Sequence, residues 1–145
     1  MAVFLDANIF LYAAGADSPH RRPCIAVLRA VAEGRLDGVT NSEVVQEILH
    51  VISRRLGHER AVEAAVHCMG LVHQVLAVDS GDMHAACQLL RQFPHLPVRD
   101  AVHAACAARA QIRCVVSVDR HFDGLPSLTR VDPTDTAAVA ELLRA

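Results

Sequence analysis

The sequence predicts an α/β fold: a mostly parallel central sheet of four to five strands with helices on both faces. Three observations in the 145 residues lead there. Short apolar runs recur along the chain, and most are followed by a longer stretch with helical period. No internal repeat, low-complexity tract or linker divides the sequence, which predicts a single domain over residues 1–145. Strands separated by helices are joined in parallel, and a parallel sheet is buried on both faces.

The elements follow in order. Val3–Leu5 is the first strand, and Ile9, Phe10 and Leu11 resume the apolar run after Asp6. His20–Glu33 has helical period, and Gly38–Thr40 reads as the second strand. "SEVVQEILHVISRRLG" is the clearest helix, with Gly57 as its C-terminal cap. Thr40 and Glu43 fit a Thr-x-x-Glu capping box at its start. A further helix runs from His58 to about Met69, and Gln74–Val78 is the third strand. "DMHAACQLLRQF" and "DAVHAACAARA" read as helices, Arg113–Ser117 as a strand, Leu128–Val131 as an edge strand, and "DTAAVAELLRA" as a last helix.

Composition excludes several classes. A hydrophobic fraction of 52% is too high for a disordered chain. With 3% aromatic residues and no Trp, the core must be built from Ala, Val, Leu and Ile. The apolar runs fall short of the roughly 18 residues a membrane span needs, and no basic segment precedes the first of them. A cytoplasmic location without membrane contact is the expectation. The five cysteines, at 24, 68, 87, 106 and 114, are odd in number and contain no Cys-x-x-Cys, so they read as small buried apolar groups rather than a disulfide or zinc framework. The net charge of −2 carries no nucleic-acid signature, yet all 14 basic residues are Arg, whose planar fork suits phosphate.

The acids carry the chemistry. Asp6 follows the first strand directly, where a carboxylate is expensive to bury without a partner. Asp119 repeats the pattern at the end of "CVVSV", so two parallel strands would deliver both acids to one sheet edge. Asp100, in "LPVRDAVHAACAARA", starts an Ala-rich helix; N-capping is its simplest role, but that position also aims it at the strand ends. Glu47 lies beside the apolar stripe formed by Val44, Ile48 and Val51, whereas Glu43 lies further round toward solvent. Asp123 either supplements the cluster or ends a turn before Gly124. Acids converging this way repel one another unless some are protonated or a hard cation neutralises them, and oxygen ligands favour Mg²⁺ or Mn²⁺. His103 lies near the crevice, three residues after Asp100, but no histidine here has metal-ligand spacing; most read as surface or core groups.

With those residues in place, the chain resembles a PIN-domain ribonuclease of the VapC-type toxin branch. "FLDANIFLY", "TNSEVVQEIL", "LPVRDAVHAACA" and "VVSVDRHFD" carry the likeness in order and spacing, and "RVDP" is similar to how such domains finish. The resemblance implies a PIN-like fold and a Mg²⁺- or Mn²⁺-dependent endoribonuclease that hydrolyses RNA with a metal-activated water. It assigns Asp6, Glu47, Asp100 and Asp119 to the acidic site, with Asp6, Asp100 and Asp119 as metal ligands. Asn8 and Ser117 match supporting polar positions; Asp123, on the residue reading above, joins them as a supporting acid or ends its turn. Arg99 and Arg120, each adjacent to a site acid, are candidates either for phosphate contact or for pairing with the neighbouring acids. The family further implies a cognate antitoxin, whose peptide enters the crevice, and a homodimer.

Other readings fit less well. A receiver-like binding domain wants adjacent acids after the first strand and a late Lys, and this chain has no Lys. A phosphatase with an Asp nucleophile wants Asp-x-Asp, where this sequence has "DAN". A PIN-fold nuclease of RNA maturation or repair is the nearest alternative.

Overall fold

The computed structural model describes residues 1–145. Five strands form one sheet: β1 (Ala2–Leu5), β2 (Asp37–Asn41), β3 (Gln74–Leu76), β4 (Cys114–Val116) and β5 (Thr129–Val131). Their order is β3-β2-β1-β4-β5 and every pairing is parallel, as the alternation of elements predicts. Phe4 in β1 sits between Val39 and Val115 of the flanking strands, so the first strand of the chain is the centre of the sheet.

Helices α1 (Ala7–Ala14) and α2 (Arg21–Ala32) join β1 to β2, and α3 (Ser42–Leu56) and α4 (His58–Leu71) join β2 to β3. The chain then crosses the sheet through α5 (Ser80–Gln92) and α6 (Val98–Arg109) to reach β4 on the other side of β1. A 3₁₀ turn at Arg120–Phe122 leads to β5, and α7 (Thr136–Arg144) follows. The first four helices pack on one another and α5 packs on α6, giving a helical layer on each face of the sheet. Strand order reverses between β1 and β4, and it is at such a switch point that open parallel sheets leave a crevice beyond their carboxyl ends.

The structure corrects the sequence reading in three places. Ile9 to Leu11 belong to α1, a helix the sequence reading did not assign; at eight residues it is too short to display a clear period. The expected Thr40–Glu43 capping box does not form. Strand β2 runs one residue further, Thr40 Oγ1 donates to the Leu5 carbonyl at 3.0 Å, and Asn41 caps α3 by accepting from Val44 N at 2.9 Å. Asp100 does not cap α6 either: Pro97 occupies that position and Asp100 stands within the first turn.

Thirty-five buried residues form one continuous apolar core. Ala101, Ala104, Ala105 and Ala107 are all buried, so α6 approaches its neighbours closely. Gly38 is held by contact rather than by backbone angle: a Cβ there would lie 2.9 Å from both Leu5 Cδ1 and Val31 Cγ2. Arg109 ties the second layer together, its guanidinium donating to both oxygens of the buried Asp82 at 2.7 and 2.9 Å and to the Ala77 carbonyl at 2.7 Å. All five cysteines are unpaired thiols, four of them buried and Cys87 exposed. No helix is long and apolar enough to cross a membrane.

Candidate metal centre

Asp6 leaves β1 and caps α1 in one residue, and this is why an acid stands in an apolar run. Its Oδ1 accepts from Ala7 N at 2.8 Å, and its Oδ2 accepts from Ser117 Oγ at 2.7 Å and Asn8 Nδ2 at 3.1 Å. The backbone N–H of Asp6 donates to the Val116 carbonyl at 3.2 Å, which continues the β1–β4 ladder up to the site. Burial pushes the Asp6 carboxyl up from its usual range; the hydrogen bonds from Ser117 and Ala7 oppose that, and the charge of Asp119 adds to it.

Asn8 and Ser117 link the two strand ends. Asn8 Nδ2 also donates to Ser117 Oγ at 3.0 Å, and Asn8 Oδ1 accepts from Val118 N at 3.3 Å. Ser117 Oγ in turn accepts from Asp119 N at 3.0 Å. Asp119 caps the 3₁₀ turn through His121 N at 2.9 Å, and its Oδ1 lies 2.6 Å from His121 Nδ1.

Asp100 reaches the same place from α6. It is 7% exposed, and its Oδ2 is buried with no hydrogen-bond partner, 3.6 Å from His121 Nδ1. Burial, and next the charges of Asp6 and Asp119, push its carboxyl up to about 7, against the opposing pull of His121. Glu47 comes in from α3, half-buried and 3.3 Å from Arg99 Nη1. Its carboxylate lies with Asp6 and His103 in one group, while Asp100, Asp119 and His121 form another; within each, the ligating atoms are all within 4.8 Å of one another.

Asp6, Asp100 and Asp119 thus act on one another at the switch point, with Glu47 beside Asp6 and with Asn8 and Ser117 bracing the centre. Asp123 stands apart: Arg130 grips both its oxygens at 2.8 and 3.2 Å and holds it below the usual carboxylate range. Arg130 also donates to the Ser117 carbonyl at 3.0 Å, so Asp123 touches the centre only through that arginine. Arg99 is paired with Glu47, and Arg120 is exposed beside Asp123. Glu43 is half-buried like Glu47, not turned fully to solvent. Sequence reasoning passed over His121 and Asn41. For Asn41 a signal existed, because Asn before an amphipathic stretch is a preferred N-cap; for His121 there was only its place two residues after Asp119.

An orphaned buried carboxylate oxygen among other acids is a cation site in its chemistry. The surrounding donors are carboxylate oxygens, which suit a hard divalent ion.

The comparisons with known proteins agree with this architecture. The PIN domain family model matches residues 3–128. Ribonuclease VapC13 of Mycobacterium tuberculosis is 34% identical over 132 residues, covering 89% of this chain and 98% of the relative. Ribonuclease VapC7 of the same organism is 33% identical over 147 residues, with 97% of each chain covered. Among solved structures, FitAcB from Neisseria gonorrhoeae superposes with a TM-score of 0.72 at 15% identity, covering 93% of this chain and 99% of that one. VapBC2 from Rickettsia felis, bound to a DNA fragment from its promoter, gives a TM-score of 0.71 at 16% identity, covering 90% and 98%. At such identities the structures speak for the fold alone, and the family rests on the sequence matches. On that ground the chain belongs to the PIN-domain family and is closely related to the VapC-type toxins of toxin–antitoxin systems.

Proposed function

We propose that this protein is a Mg²⁺- or Mn²⁺-dependent endoribonuclease, the toxin of a toxin–antitoxin pair. One observation carries the metal requirement: the buried, unpartnered Asp100 Oδ2 lies among acids whose mutual repulsion a divalent cation would relieve. Asp6, Asp100 and Asp119 would hold the ion, and Glu47 completes the acidic wall. When bound, a divalent cation supplies an activated water and charge neutralisation at the attacked phosphate. Asn8 and Ser117 orient Asp6, because both donate to the same carboxylate oxygen. Arg99 and Arg120 receive the substrate backbone, Arg99 by leaving Glu47 for a phosphate. Asp123 supports the centre indirectly, holding Arg130 against the Ser117 carbonyl.

RNA as substrate is supported by the curated relatives, which are named ribonucleases. An antitoxin partner is supported by structures of like fold solved as a toxin-antitoxin complex from Klebsiella pneumoniae and as VapBC-5 of Mycobacterium tuberculosis, a member of the VapBC family of toxin-antitoxin systems. On this reading the partner's peptide enters the acidic crevice, the active protein is a homodimer of one-domain chains, and it works in the cytoplasm. The second reading, a PIN nuclease of RNA maturation or repair, would use the same centre without an antitoxin.

The test is cleavage of single-stranded RNA by wild type and Asp6→Asn across a Mg²⁺ titration with an EDTA control. Metal-dependent cleavage by wild type alone is expected, and equal activity in the two proteins would refute the role of Asp6. Growth arrest on expression, relieved by the product of an adjacent gene, separates toxin from housekeeping nuclease.

A further inference from the structure

His103 is 1% exposed and lies against Phe4, with ring centroids 5.3 Å apart. Its two nitrogens face different partners. Nδ1 lies 3.0 Å from Asn41 Nδ2, whereas Nε2 has no hydrogen-bond partner and sits 3.9 Å from Asp6 Oδ1. Position alone would make this imidazole a metal ligand with Asp6 and Glu47. A nitrogen donor there would draw the site toward zinc, nickel or copper.

The proton decides otherwise. Asn41 Oδ1 is committed to Val44 N at 2.9 Å as the cap of α3. The amide is thereby oriented, and its NH₂ group faces the ring. An N–H donor requires a lone pair opposite, so Nδ1 is unprotonated and a neutral ring carries its proton on Nε2. Asp6 and Glu47 therefore meet an N–H, not a lone pair.

We infer that Asn41 sets the metal preference of this centre by fixing the His103 proton on the nitrogen that faces the acids, which leaves an all-oxygen donor set. The inference rests on the metal centre proposed above and deepens it. A metal-ligating histidine needs the reverse arrangement, with its far ring N–H donated to a carboxylate or carbonyl. Aspartate at position 41 would supply that acceptor and still cap α3, because Asp and Asn cap comparably. Asn41 is in this sense a positioning residue that acts through His103.

Long-range ¹⁵N–¹H NMR of the imidazole in the metal-free wild type reads the tautomer directly, and the Nε2–H form is expected. In Asn41→Asp the proton is expected on Nδ1. Calorimetric titrations should then show the ratio of Zn²⁺ to Mg²⁺ affinity rising by roughly ten- to a hundred-fold. The ratio is the readout because the added charge strengthens binding of every divalent ion. Asn41→Ser keeps a cap without the amide, and should lose the single tautomer with no such rise. An Nδ1–H wild type would overturn the inference without any variant having to fold. So would an Asn41→Asp protein whose proton moves while its affinity ratio stays unchanged. A wild type with the expected tautomer that binds neither Mg²⁺ nor Mn²⁺ would overturn the metal centre itself, and NMR separates that failure from the other.

Discussion

Asp100→Asn is expected to stabilise the metal-free protein in mild alkali and to abolish most of its stabilisation by Mg²⁺. Folding pushes this carboxyl from 3.8 up to about 7, chiefly by burial and then by the charges of Asp6 and Asp119. At about 1.36 kcal/mol per pKa unit, the ionised group destabilises the fold by roughly 4 kcal/mol. The folded chain holds this proton more tightly than the unfolded chain does. The favourable contribution of Asp100 is therefore complete below about pH 4, shrinks as pH rises, and is gone above about pH 7. Asparagine is neutral throughout and its amide can donate to Asp119, but burying that amide offsets about 2 kcal/mol of the gain. A net gain of about 2 kcal/mol at pH 8 corresponds to about 6 °C in Tm for a chain of this size. Calorimetric melts in EDTA at pH 4.5 and pH 8 check the sign: the variant about 3 °C below wild type at the lower pH, where the cost of burying the amide outweighs the little repulsion relieved, and above it at the upper. Added Mg²⁺ should raise the wild-type Tm and leave the variant almost unmoved. A variant that melts below wild type in EDTA at pH 8 would refute the claim that repulsion and burial dominate at this carboxyl.

Three further outcomes follow from the same structure. Gly38→Ala should lower stability by about 1–3 kcal/mol in denaturant titrations, because its Cβ would press on Leu5 and Val31. Asn8→Ala should reduce Mn²⁺ affinity or RNA cleavage by roughly ten- to a hundred-fold, with circular dichroism unchanged, since it removes a donor to Asp6 and the tie to Val118. Arg99→Ala and Arg120→Ala should each weaken RNA binding and lower the slope of log affinity against log salt by about one, measured by fluorescence anisotropy in Ca²⁺.

The elements most legible in the sequence were those with long or repeated patterns. "SEVVQEILHVISRRLG" declares α3 through its stripe and its terminal Gly57, and the alternation of strand and helix was enough to place β1 and β4 in one parallel sheet. That placement is what brings Asp6 and Asp119 to a common edge. Short-range signals misled where tertiary contacts compete with them. Thr40 looked like a cap because Glu43 stood three residues on, yet its hydroxyl is spent on the Leu5 carbonyl across the sheet. Eight residues of α1 could not declare a period, and Ile9 to Leu11 resembled more strand. The histidines were opaque for another reason. Which nitrogen of His103 carries the proton depends on an amide 62 positions away, and no spacing rule reaches that far.

The central position of β1 has a consequence for synthesis. The Ser117 hydroxyl that steadies Asp6, one residue past the hydrogen-bonded neighbour β4, lies 111 residues downstream of that acid. At about 5–20 residues per second, a ribosome needs roughly 6–22 s to bridge that interval. Throughout it, β1 has no partner to pair with on its β4 side. The acidic centre therefore cannot assemble until β4, and the Asp119 that follows it, have been made and set beside β1.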